Sequence, residues 1–89
     1  MGKAVDVTVS GRVQGVSFRA YTQQEADRLG VTGWVSNEPD GTVAGHFEGA
    51  DAAVDALVEW CRHGPRLADV DRVDVQPGEQ QGASRFDVR

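Results

Sequence analysis

The spacing of apolar residues changes period near the start of the chain, and that change constrains what the chain can fold into. Val5, Val7 and Val9 alternate with Asp6, Thr8 and Ser10, a period of two that predicts a strand from Ala4 to Gly11 with one buried face. From Phe18 or Arg19 to Leu29 the spacing is helical. Phe18, Thr22, Ala26 and Leu29 share one side, Glu25, Asp27 and Arg28 stay wet, and Gly30 suits the C-terminal cap. Between strand and helix lies Gly11-Arg12-Val13-Gln14-Gly15-Val16-Ser17-Phe18-Arg19. A strand that enters a short glycine-bearing loop and opens a helix leaves amides without intrahelical partners, where the helix dipole adds about half a positive charge. An anion fits such a place. Arg19 adds a planar, permanently charged fork able to hold two oxygens at once.

The remaining pattern sets the topology. Val31, Gly33 and Val35 alternate with Thr32, Trp34 and Ser36, and after Glu38-Pro39-Asp40-Gly41 the alternation resumes at Val43, Gly45 and Phe47, which predicts a hairpin. Val54, Leu57, Val58 and Cys61 lie at i, i+3, i+4 and i+7, with Asp51 near the start and Gly64-Pro65 at the end, so a second helix is expected there. Val73 and Val75 predict a fourth strand near residues 69 to 76, with Val70 out of phase as a bulge or an earlier start. Pro77 to Ser84 reads as a loop, and Phe86 and Val88 as a short C-terminal edge strand.

The order βαββαβ is that of an α+β, ferredoxin-like split βαβ sandwich, with two helices on one face of an antiparallel sheet. In that topology strands one and two run the same way with strand three between them, so their C-terminal ends share a rim. Arg19 and Asn37, eighteen residues apart, are expected to face one site. His46, out of phase with Val43, Gly45 and Phe47, is expected to face solvent, and His63 to end the second helix. Cys61, Trp34 and Trp60 are expected to be packing residues.

With 89 residues, 39% of them hydrophobic, the chain has material for one modest core, and a single domain over residues 1–89 is expected. No apolar run approaches the ~18 residues of a membrane span, nor does the N-terminus read as a signal peptide, so a cytoplasmic protein is expected. One cysteine and two histidines offer no metal-ligand spacing, and neither a metal nor a cofactor is expected. The net charge of −5 disfavours nucleic acid and anionic membranes as partners. It also opposes an anionic substrate at long range. Binding of phosphate would have to rest on amides and an arginine at short distance.

The segment from Gly11 to Arg19 resembles the signature of the acylphosphatases: glycine, any residue, valine, glutamine, glycine, valine, any residue, phenylalanine, arginine. All seven specified positions match. The resemblance continues through Gly33-Trp34-Val35 with Asn37, the turn Asp40-Gly41-Thr42-Val43, and Phe86-Asp87-Val88-Arg89. It implies a small monomeric enzyme hydrolysing acyl phosphates to a carboxylate and inorganic phosphate. It also implies a catalytic pair, Arg19 and Asn37, and a phosphate site made of Gly15, Val16, Ser17, Phe18 and Arg19. Asn37 would place a water in line with phosphorus, and an oxygen of the substrate phosphate would take the water's proton. The lack of a dedicated base agrees with the chemistry, since a carboxylate leaves readily and phosphoryl transfer depends on positioning and charge stabilisation. Ser17 has no evident activator and stands at an unspecified position, which argues against a nucleophilic role. Two other readings remain open at this level: a noncatalytic ferredoxin-like binding or regulatory module, and a domain acting on carbamoyl phosphate.

Overall fold

The computed structural model describes residues 2–89. Its elements run β1 (Gly2–Arg12), α1 (Phe18–Leu29), β2 (Thr32–Asn37), β3 (Val43–Ala50), α2 (Asp51–His63), β4 (Asp69–Pro77) and β5 (Phe86–Val88). The sheet order is β4-β1-β3-β2-β5, antiparallel except between β2 and β5. The first four strands give the expected ferredoxin-like arrangement, and β5 extends it as a parallel edge.

The core lies between the helices and one face of the sheet. Val5, Val7, Val9, Val35, Val43 and Phe47 from the strands meet Phe18 and Ala26 of α1 and Val54, Leu57 and Cys61 of α2. The two apolar periods thus point at each other. Trp60 packs on Phe18 with ring centroids 5.7 Å apart, and burial drives the Cys61 thiol pKa up to about 12. α1 ends as its glycine suggests, with Gly30 at φ 76° and its amide donating back to Ala26 and Asp27 carbonyls. The bulge read from Val70 is also present: β1 and β4 change register between Ser10 and Gly11, leaving Asp71 unpaired.

His46 departs from expectation. The alternation places it correctly on the face opposite Phe47, yet its side chain is fully buried instead of facing solvent. The reason is a second layer. Cross-strand register puts Asp6 and Trp34 on either side of it; Nδ1 lies 2.7 Å from Asp6 Oδ1, Nε2 lies 2.6 Å from Glu48 Oε2, and the Trp34 ring stacks on the imidazole. The segment 78–85 then folds over them as a strap, with the Gln81 amide donating to Glu48 Oε2 and Gly78 N–H to the Ala4 carbonyl. Burial lowers the His46 pKa, but the hydrogen bonds to Asp6 and Glu48 outweigh it and the net shift is upward. For Glu48, burial pushes upward, and the bonds from His46 and the Gln81 amide bring it below its ordinary value. Only the imidazolium donates from both nitrogens, so the geometry fits a charged His46 between two carboxylates.

Candidate active site

The nine-residue segment folds as its side chains dictate. Val13, Val16 and Phe18 are buried while Gly15 and Ser17 between them are exposed. The apolar residues pin the loop to the core and leave its main chain at the surface. Gly15 adopts φ 75° and Ser17 φ 60°, ψ 27°, both left-handed. Glycine takes that conformation freely, whereas for serine it is strained. Ser17 is the residue before α1, and its side chain caps nothing. Among the described residues no hydrogen bond takes the amides of Gly15, Val16, Ser17, Phe18 or Arg19. Alternating backbone hands of this kind turn successive N–H groups toward one concavity.

That concavity is a cleft of about 380 Å³ lined by Val13, Gly15, Ser17, Phe18, Arg19, Ala20, Asn37 and Val88. It brings together both members of the expected pair. Arg19 is oriented from behind, its Nη1 donating to the main-chain oxygen of Arg89 at 2.6 Å. Residue 89 is itself fixed, since its amide donates to Val35 at 2.8 Å and its guanidinium lies 4.4 Å from the Trp34 ring centre. Asn37 closes β2 opposite the loop. Its Oδ1 is buried and has no hydrogen-bond partner among the described residues. A buried acceptor left open costs about 1–3 kcal/mol, a cost found where a ligand or water completes the group.

Two contributions escaped the residue-by-residue reading. Gln14 donates from Nε2 to the carbonyls of Glu38 (2.8 Å) and Thr42 (2.9 Å), tying the loop to the hairpin turn that carries Asn37. Val88 of β5 walls the cleft from a strand whose pairing with β2 is parallel. Gln14 stood in the matched segment, and residues 86–89 stood within the wider resemblance. Their partners lie 24 to 70 residues away, so only the fold reveals what they touch.

Comparison with known proteins decides the family. The acylphosphatase sequence profile matches residues 5–88. This chain belongs to the acylphosphatase family. An acylphosphatase of a Nocardioides species is 66% identical over 89 residues, covering 100% of this chain and 90% of that one. Among solved structures, an acylphosphatase from Coxiella burnetii superposes with a TM-score of 0.95 at 38% identity, covering 99% of this chain and 93% of that one. The Bacillus subtilis acylphosphatase gives 0.94 at 36%, covering 100% and 99%. The chain is therefore an enzyme that hydrolyses acyl phosphates, and the noncatalytic alternative falls. In this acylphosphatase no helix is long and apolar enough to cross a membrane among the described residues.

Proposed function

We propose that the free amides of Gly15 to Arg19 and the Arg19 guanidinium hold the phosphoryl group, and that Asn37 positions the attacking water. The open Oδ1 of Asn37, buried in the same cleft as Arg19, carries this reading. It accepts a hydrogen from water and aims the oxygen's lone pair at phosphorus. Several charge-assisted hydrogen bonds, each worth roughly 1.5–3 kcal/mol, offset the unfavourable net charge of −5 at short range. As the new P–O bond forms, the P–O bond to the acyl group breaks and the carboxylate leaves. The water's proton passes to a non-bridging phosphoryl oxygen, so no side chain need act as base. No metal and no cofactor enters the scheme. The enzyme works as one domain, as a monomer in the cytoplasm.

Hydrolysis of benzoyl phosphate tests these roles. It is expected to persist in excess chelator. Asn37→Ala is expected to lower kcat about a hundredfold with KM little changed, because its contact is to the water and not to the ground-state substrate. Undiminished turnover in that variant would remove Asn37 from the mechanism.

A further inference from the structure

Of the four large apolar side chains that stand exposed among the described residues, Val88 lines the catalytic cleft, and Tyr21 and Leu67 line a depression that adjoins it. Leu67 is 71% and Tyr21 47% exposed. Tyr21 and Leu67, with Pro65, wall a groove of about 170 Å³ between the start of α1 and the α2–β4 connection. This groove continues the catalytic cleft through Gly15 and Ser17, which line both, and it does not include Asn37. Arg66 stands in its wall and has no ion-pair partner among the described residues.

In-line displacement fixes which way the substrate must point. The attacking water and the leaving oxygen lie on opposite sides of phosphorus, so water held at Asn37 sends the acyl group out of the cradle away from Asn37. The groove across Ser17 is the depression that adjoins the cradle without Asn37. Its apolar walls suit the carbon chain next to the carbonyl. In a protein of net charge −5, an unpaired arginine in the wall of such a groove suits a second anion.

We propose that the acyl group of the substrate lies in the groove between Tyr21 and Leu67, and that Arg66 there selects short acyl phosphates bearing a carboxylate at the far end. The inference rests on the assignment of phosphate to the Gly15–Arg19 cradle and of water to Asn37. The size of the groove limits the chain to a few carbons, and the monoacyl phosphates of short dicarboxylic acids are the class that meets all three demands.

The test compares kcat/KM for succinyl, acetyl and benzoyl phosphate in the parent protein and in Arg66→Gln and Leu67→Ser, both substitutions of exposed side chains. The parent is expected to prefer succinyl to acetyl phosphate. Arg66→Gln should lower the succinyl-to-acetyl ratio about threefold, mainly through KM. Leu67→Ser should lower the benzoyl-to-acetyl ratio. Ratios that do not move in either variant, while hydrolysis itself continues, overturn the groove assignment. Arg19→Lys separates this from the underlying reading: if that variant hydrolyses all three substrates as the parent does, the cradle assignment has failed, whatever the ratios show.

Discussion

The two polar clusters of this molecule are opposites. At the rim, five amides and the Oδ1 of Asn37 are left without partners among the described residues, around one arginine. On the far face of the sheet, both ring nitrogens of His46 meet carboxylates, Glu48 receives a further N–H from Gln81, and the imidazole and Glu48 are buried beneath Trp34 and the strap. The rim spends stability on open hydrogen-bonding capacity, and the His46 cluster closes its own. Perturbed or charged groups therefore do not by themselves mark a catalytic site. What separates the two is whether the groups still have something left to bind.

The contrast breaks if activity and stability fail to separate. Arg19→Lys, which keeps the charge but loses the fork, is expected to lower kcat/KM for benzoyl phosphate about 10³-fold, roughly 4 kcal/mol, with the thermal midpoint nearly unmoved. Parallel denaturant titrations and kinetics would show it. His46→Gln is expected to do the reverse. It removes the cation between Asp6 and Glu48 and should cost roughly 3 kcal/mol of folding stability, while the protein that remains folded keeps its turnover. Equal losses of activity in the two variants would mean that the clusters are coupled.

The pH dependence sharpens the same point with a smaller effect. Because the His46 pKa is raised in the fold, its contribution is complete below the ordinary value of 6.5 and fades as pH climbs through the higher folded value. Glu48 is lowered, so its contribution is present above the ordinary 4.5 and fades as pH falls through the lower folded value. Stability should be greatest between these two ordinary values and should decline on the alkaline side as His46 loses its proton. Denaturant midpoints across pH should show His46→Gln losing the alkaline decline. The smallest effect is expected at Ser17, where replacement by glycine relieves a left-handed serine and should raise stability by about 0.5 kcal/mol. A lower midpoint in Ser17→Gly would show that the hydroxyl contributes something the geometry does not reveal.

Much of this was legible in the chain itself. Val5, Val7, Val9 and then Phe18, Thr22, Ala26 declare a strand and a helix through local period, and local period survives folding. Arg19 and Asn37 could be brought together in advance because the split βαβ topology places the ends of β1 and β2 on one rim. The burial of His46 was not legible. Alternation tells which face a residue occupies but not what lies over that face, and the covering segment 78–85 is polar and aperiodic. Nor could spacing show that Gln14 reaches the Glu38 and Thr42 carbonyls, because those acceptors are main-chain groups that every residue possesses.

The two hydrogen bonds that Gln14 Nε2 donates carry the effect of binding beyond the loop. They staple the glycine loop to the hairpin, so when an anion settles among the loop amides the turn from Glu38 to Thr42 should quieten with it. Deuterium uptake at the amides of Glu38 and Gly41 would then slow on adding inorganic phosphate, letting occupancy be read from a stretch of backbone that never touches the ligand.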